Sequence, residues 1–146
     1  MKNNKPTFKW DDDKGTAICI IHTPYGDFSG SATCHTDDKD MMSEKVGCEI
    51  AYCRATIKML TYQRDCQIKP ALKALKQLYY SMKHSKKFNP KSYENVMLRR
   101  QIQNWEFDLS IVNDMLNTER KYLNDYITTK ELLYQDLRAK RNNGQK

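Results

Sequence analysis

The sequence predicts an α+β fold in which a small N-terminal antiparallel sheet, built on a β-hairpin, precedes two long antiparallel α-helices that assemble into oligomers. Three observations predict it. Apolar, β-branched runs separated by turn residues fill the first third of the chain, the remainder carries apolar residues at helical spacing, and residues 91–141 contain neither glycine nor proline. The 146 residues suit a single domain, comprising a hairpin region (1–42), a first helix (43–84) and a second helix (90–141).

The sheet is predicted from the alternation of strand-forming and turn-forming residues. Residues 16–22 form one strand, residues 24–27 a turn and residues 28–34 the return strand, while residues 7–10 add a third strand. Because an isolated hairpin is only marginally stable in water, this sheet needs another element to pack against.

The two helices are predicted from stripes of apolar residues. The first begins after Ser43, a good N-cap residue, and its apolar positions alternate four and three residues apart. Pro70 interrupts the stripe, so we expect a kink or break there. Asn89 followed by Pro90 suits the N-cap and first position of the second helix. About fifty residues rising 1.5 Å each would make this helix about 75 Å long, and a short connection makes the pair antiparallel.

A second apolar stripe on the second helix would remain uncovered in a two-helix hairpin. Its members are Met97, Phe107, Ile111, Met115, Tyr122 and Ile127. An exposed stripe of this kind argues for a partner, most simply another copy of the chain. We therefore expect a homodimer or a larger homo-oligomer.

Composition and motifs exclude several classes of protein. No run of about 18 apolar residues is present, so no membrane span is expected, and no apolar stretch follows the basic N-terminus as it would in a secretory signal. The five cysteines are expected to be reduced thiols in a cytoplasm. The sequence contains no C-x-x-C, H-E-x-x-H, G-x-S-x-G, Walker A or G-x-G-x-x-G motif. We expect no metal, no cofactor and no catalytic residue, and an enzyme is the least expected class.

Anion binding is the best supported chemistry. The net charge of +7 is concentrated in residues 43–91, which carry a net charge of +8. Between Lys83 and Arg100 there are six bases and one acid, interleaved with aromatic rings and amides that suit a nucleotide. The candidate ligand-binding residues here are Phe88, Asn89, Tyr93, Asn95, Arg99 and Arg100. A solvated corner kept soluble by lysines is the alternative explanation of the same cluster.

A positive strip on the first helix extends this region. It consists of Lys58, Arg64, Lys69, Lys73 and Lys76. A strip that is continuous in space would favour DNA or RNA, whereas one broken up at a dimer interface would favour a small ligand.

Small residues at Gly47, Ala51 and Ala55 keep one face of the first helix flat. A strand or another helix could approach this face closely, and packing of the hairpin is the simplest use for it. Arg54 lies within this face and would need a carboxylate or phosphate partner if it were buried, which makes it a seventh candidate ligand-binding residue.

This layout resembles the Thoeris anti-defence proteins of phages, a family of cyclic-nucleotide sponge proteins. The likeness covers about residues 15–110 and consists of the hairpin, a Gly-x-Ala-x-Cys stretch at residues 30–34 followed by acids, the helix start with Gly47, Ala51 and Arg54-Ala55, and the long helices. It implies a phage protein of the host cytoplasm that sequesters cyclic ADP-ribose signals, and in some members cyclic oligonucleotides, without cleaving them. The family's pockets lie between protomers. By this resemblance an adenine would stack on Phe88 or Tyr93 while Arg and Lys hold the phosphates.

Two other functions remain open on the sequence alone. One is an anti-CRISPR-type inhibitor that binds a host defence protein or a nucleic acid. The other is a structural coiled-coil adaptor without a ligand. Salt dependence separates polymer binding from a small-ligand pocket, because the affinity for a polyanion falls steeply with salt.

Overall fold

The computed structural model describes residues 5–33 and 43–144. In chain order it contains strands β1 (Pro6–Asp11), β2 (Thr16–Thr23) and β3 (Gly26–Thr33), helix α1 (Glu44–Tyr62), a π-helical segment (Gln63–Ile68), helix α2 (Lys69–Lys83) and helix α3 (Tyr93–Gly144). The α+β class is confirmed, with a three-stranded antiparallel sheet followed by the helices. Cys34 and the acidic stretch after it lie outside the described residues. No helix within the described ranges is long and apolar enough to cross a membrane.

The sheet has the strand order β1-β2-β3, and both pairs of neighbouring strands are antiparallel. At the first turn the carboxylate of Asp11 accepts hydrogen bonds from the backbone N–H groups of Asp13 and Lys14, at 3.0 and 3.2 Å. Gly15 closes this turn with a φ of 60°, in the left-handed region that favours glycine. The turn predicted over residues 24–27 is shorter than expected, because β3 already begins at Gly26.

Contacts divide the chain into two compact units. Unit 1 comprises Met1–Met59 and Asn117–Lys146, and unit 2 comprises Leu60–Leu116. Helices α1 and α3 contribute residues to both units.

The core of unit 1 lies between the sheet and α1. Ala17, Cys19 and Ile21 of β2 form a buried cluster with Ala51 and Ala55 of α1. The flat face of α1 therefore packs against the sheet, which is the simplest use that the sequence analysis predicts for it.

Two local features support this packing in unit 1. Gly30 of β3 lies so close to α1 that a Cβ atom at this position would collide with the carbonyl oxygen of Ala51. The predicted N-cap is also confirmed, because the Ser43 hydroxyl accepts the Val46 N–H at 3.1 Å.

The helices of unit 1 run antiparallel. The Tyr122 hydroxyl donates to the carboxylate of Glu49 at 2.8 Å. One turn later in α1, the thiol of Cys53 pairs with Glu119, which lies earlier in α3 than Tyr122 does. Burial, together with this hydrogen bond, raises the pKa of Cys53 to about 12. All four cysteines that the structure describes are free thiols.

The expected break at Pro70 takes the form of a change in helical winding. Pro70 lies in the first turn of α2, and the N–H of Lys69 donates to the carbonyl of Arg64, five residues back, as in a π-helix. A proline offers no N–H and crowds the preceding turn, so the wider turn before it lets the backbone stay helical. The chain is therefore helical from residue 44 to residue 83.

Helix α3 begins three residues later than the Asn-Pro pair predicts. The Asn89 side chain accepts the Lys91 N–H at 3.0 Å and forms a turn, and Ser92 takes the N-cap position instead. The Ser92 hydroxyl accepts the Asn95 N–H at 3.3 Å, and its carbonyl accepts the Val96 N–H at 3.0 Å. The helix starts at Tyr93 and continues to Gly144.

The two predicted apolar stripes of α3 differ in burial. The first stripe keeps a seven-residue period from Leu98 to Leu137. Its buried members are Leu98, Val112, Leu116 and Leu123, while Leu133 and Leu137 near the C-terminus are exposed. In the second stripe Phe107, Ile111, Met115 and Tyr122 are exposed. The other two members of the second stripe, Met97 and Ile127, are half-buried, so this stripe is exposed mainly between residues 107 and 122.

Candidate anion-binding groove

One face of α2 carries a row of exposed lysines. Lys69, Lys73, Lys76 and Lys83 are spaced by four, three and seven residues, which places them on one side of a helix. Tyr80 falls in the same row, and its side chain is 65% exposed. This face therefore presents cations and an aromatic ring together.

The lysine row lines an open hollow of about 740 Å³ along α2. Its lining residues are Lys69, Leu72, Lys73, Lys76, Gln77, Tyr80 and Ser81. A second hollow of about 360 Å³ lies between α2 and α3, and both hollows include Lys76 and Tyr80. Its other lining residues are Tyr79 and Lys83 from α2 and Arg99, Ile102, Gln103 and Glu106 from α3. We call the two hollows together the basic groove.

The charge balance of the basic groove favours an anion. Five bases line it, and Glu106 is the acid among the described lining residues. The ammonium of Lys76 lies 3.1 Å from the Glu106 carboxylate, but both side chains are about half exposed. Exposed pairs of this kind contribute about 0–1 kcal/mol, so a phosphate could replace Glu106 as the partner of Lys76 at little cost.

A second ion pair lies at the start of α2. Asp65 in the π-helical segment is bound by Arg64 at 2.9 Å and by Lys69 at 3.5 Å. The hydrogen bond from Arg64 lowers the pKa of Asp65, and Lys69 adds to this effect. Asp65 therefore stays ionised and partly neutralises Lys69, just as Glu106 partly neutralises Lys76.

Tyr80 and His84 form an aromatic pair beside the lysines. Their ring centroids are 4.3 Å apart, and the ring planes are inclined by 39°. The Nδ1 atom of His84 lies 3.0 Å from the carbonyl oxygen of Tyr80, and since a carbonyl can only accept, Nδ1 carries the hydrogen. This bond fixes the imidazole at the C-terminus of α2, where it supports the exposed Tyr80 ring. An exposed ring beside cations is a suitable platform for a nucleobase.

The residues predicted around the α2–α3 connection serve largely to build that connection. Phe88 is half-buried and meets Tyr79 edge to face at a centroid distance of 5.9 Å. The side-chain amide of Asn95 donates to the carbonyl of Asn89 at 2.6 Å. Arg99 donates to the carbonyl of Pro90 at 2.7 Å and also lines the basic groove. These contacts hold the loop against the first turns of α3.

The remaining candidates of unit 2 differ widely in burial. Asn95 is only 4% exposed, and its side-chain oxygen has no hydrogen-bond partner among the described residues. Tyr93 is 74% exposed, and Arg100 is also exposed. Of the six candidates in this region, Arg99 is the one that lines the basic groove.

Arg54 belongs to unit 1 and has a structural partner there. It is exposed rather than buried, so it does not need the anionic partner that burial would demand. Its guanidinium donates to the carbonyl of Ser31 in β3 at 2.7 Å. This bond ties the edge strand to α1.

Sequence reasoning identified Lys69, Lys73 and Lys76 but missed Tyr80 and His84. The available signal was spacing, because Tyr80 follows Lys76 by four residues and therefore falls on the same helical face.

No group of three or more metal-binding side chains occurs in the described ranges. No protein-family model matches the chain, and no curated protein or solved structure matches it significantly.

Proposed function

We propose that this protein binds a phosphate-bearing nucleotide in the basic groove. The observation that carries the proposal is the combination of a lysine row, a nearby arginine and the exposed Tyr80 ring in one groove. Lysines and Arg99 would hold the phosphates, and Tyr80 would stack on a base. The larger hollow, at about 740 Å³, falls within the range of roughly 300–1,000 Å³ that is usual for small-ligand sites.

The biological role that we propose is that of a phage-encoded anti-defence protein in the host cytoplasm. It would sequester a cyclic nucleotide immune messenger, such as a cyclic ADP-ribose isomer or a cyclic oligonucleotide, without cleaving it. The sequence resemblance and the excess of bases in the basic groove support this role.

Homo-oligomerisation is part of the proposal. Phe107, Ile111 and Met115 lie four residues apart on α3, and all three are exposed. A second copy covering this row would remove apolar surface from water, and a neighbouring protomer could close the open side of the groove over a small ligand. We expect a dimer or larger species in multi-angle light scattering at about 10 µM, and a monomer would contradict this part of the proposal.

Nucleic-acid binding is the second candidate, because the groove is open and extended. The lysines at 69, 73, 76 and 83 extend for about 20 Å along α2, long enough to contact several successive phosphates of a single strand. A single strand needs no second protomer to close the groove. An anti-CRISPR-type inhibitor, acting on a nucleic acid or on a defence protein that holds one, could use this surface.

A thermal-shift screen tests the proposed function. The ligands are cyclic ADP-ribose isomers, cyclic di- and trinucleotides and a short oligonucleotide. A ligand at about a hundred times its dissociation constant stabilises the fold by about 2.7 kcal/mol. A shift with one cyclic nucleotide, followed by recovery of that nucleotide intact, would support sequestration, and no shift with any ligand would contradict nucleotide binding.

Salt dependence then separates the two candidates. A single strand bound by the four lysines of α2 should lose about fifty-fold in affinity between 50 and 200 mM salt. A cyclic dinucleotide with two phosphates should lose much less.

A further inference from the structure

The outer face of the sheet carries a polar cluster that plays no part in the basic groove. Ala17, Cys19 and Ile21 face α1, so the alternate residues of β2, including His22, lie on the opposite face. His22 is paired directly with Asp27 of β3, and Thr7 of β1 is paired with Ile20. Thr7, His22 and Asp27 therefore meet on one face although they come from three strands.

Two hydrogen bonds join these side chains in a fixed order. The hydroxyl of Thr7 lies 3.0 Å from Nε2 of His22, and Nδ1 of His22 lies 3.0 Å from the carboxylate of Asp27. An ionised carboxylate can only accept, so Nδ1 must carry a hydrogen. In the neutral imidazole Nε2 then has the free lone pair, and the Thr7 hydroxyl donates to it. The order is hydroxyl to imidazole to carboxylate.

We propose that this cluster is an acyl-transfer site in which Thr7 is the nucleophile, His22 the general base and Asp27 a positioning residue. A nucleophile bonded to a base that a third group orients is the arrangement that activates a hydroxyl. The sheet itself sets the geometry, because backbone pairing fixes all three strands. The site lies in unit 1 and is independent of the nucleotide-binding function proposed for unit 2.

The reaction balances with an ester and water alone. The Thr7 oxygen attacks the ester carbonyl while its proton passes to Nε2 of His22, and the same proton then moves to the departing alcohol oxygen. The products are an acyl ester of Thr7 and a free alcohol. In the second step the imidazole takes a proton from water as the water oxygen attacks the acyl carbonyl. The bond from the acyl carbon to the Thr7 oxygen then breaks, the proton returns to that oxygen, and a carboxylic acid is released.

The surroundings of the cluster indicate the class of substrate. The side chains of His22 and Asp27 are 51% and 62% exposed, so the site is open and suits a small substrate with a good leaving group. Ile20 lies opposite Thr7, and Ile18 is on the same face with 37% of its surface exposed. These residues offer an apolar surface to a short acyl chain.

The test uses p-nitrophenyl acetate with the full chain, following nitrophenol release and locating the acetyl group by peptide mass spectrometry. We expect acetyl on Thr7 in the wild type. General-base catalysis contributes about 10²–10⁴-fold, so Thr7→Ala and His22→Gln should lower the rate of release at least tenfold. Thr7→Ser should keep the acyl-enzyme, because it keeps the hydroxyl. Asp27→Asn should slow acylation, and Asp27→Glu should preserve it.

Two matched controls keep the test specific. Thr16→Ala removes a hydroxyl of the same sheet whose partner is Thr33, at 3.3 Å, rather than a histidine. Ser29→Ala removes an exposed hydroxyl on the same face of the sheet, since Ser29 is paired with Ile20. Both controls should react as the wild type does.

The proposal is overturned if acetyl is found only on histidines or lysines, or if Thr7→Ala releases nitrophenol as fast as the wild type. Circular dichroism checks that each variant is folded. We expect every variant to fold, because each loses only exposed hydrogen bonds. With unchanged acylation in folded Thr7→Ala, the cluster would serve only to fix strand register.

Discussion

Replacing Gly30 by alanine should separate the sheet from α1. Position 30 is buried, and an added methyl group would meet the carbonyl oxygen of Ala51 and the backbone nitrogen of Ala55, with the Cβ atom of Arg54 at 2.9 Å. Two of these neighbours are backbone atoms of a helix and the third is a Cβ atom bonded directly to the backbone, so none can rotate away as a flexible side-chain end could. Either β3 or α1 must move.

The cost of that movement can be worked from the contact. Inserting a methyl group into a packed core costs about 1–3 kcal/mol, and a collision with backbone lies at the upper end of this range or beyond it. For a chain of this length, about 3 kcal/mol corresponds to a fall of about 10 °C in Tm. The measurement is urea and thermal unfolding followed by circular dichroism at 222 nm.

Ser29→Ala is the matched control, because Ser29 neighbours Gly30 on the same strand and is exposed. It should change the free energy of unfolding by less than about 0.5 kcal/mol. If Gly30→Ala were as stable as Ser29→Ala, the close packing of sheet on helix in unit 1 would be refuted.

Three further predictions concern stability and reactivity. Leu116 is fully buried, so Leu116→Ala should lower the free energy of unfolding by about 2–5 kcal/mol in urea titration, and a loss below 1 kcal/mol would contradict its burial. The hydrogen bond to Glu49 raises the pKa of Tyr122 to about 12, so the stability from this bond is present below about pH 10 and is lost as the pH rises towards 12. Tyr122→Phe should make the free energy of unfolding depend less on pH in that window, and an unchanged pH dependence would contradict the hydrogen bond. Cys66 is exposed and Cys53 is buried, so Ellman's reagent should label Cys66 quickly in the folded protein and Cys53 only after unfolding.

Local chemistry explains why most of the fold could be predicted from the sequence. The strands follow from β-branched runs between turn residues, and the start of α1 follows from the hydroxyl of Ser43. The start of α3 could not be decided locally, because Asn89 and Ser92 are both good N-cap residues. A contact outside the cap itself decides between them: the buried amide of Asn95, six residues further along the chain, donates to the carbonyl of Asn89 and holds it in a turn.

The candidate site was predictable only in part for a similar reason. Lysines at helical spacing on α2 indicated a positive strip without knowledge of the fold. Tyr80 was missed because an aromatic residue at helical spacing usually belongs to a core, and only its exposure shows that it does not. The meeting of Thr7 with His22 depends on strand register, which no single segment of the sequence contains.

The central claim, that the basic groove is the anion-binding site, is tested most directly by charge reversal in α2. Binding of the cyclic nucleotides by calorimetry, and of a short single-stranded oligonucleotide by fluorescence anisotropy, is measured for the wild type and for Lys73→Glu combined with Lys76→Glu. Lys14→Glu combined with Lys45→Glu, at two exposed lysines of unit 1, changes the net charge by the same amount. We predict that at least one ligand binds the wild type, that the α2 variant loses at least tenfold in affinity, and that the unit 1 variant stays within about twofold. Equal affinity in all three proteins, or no binding of either class of ligand, would contradict the account.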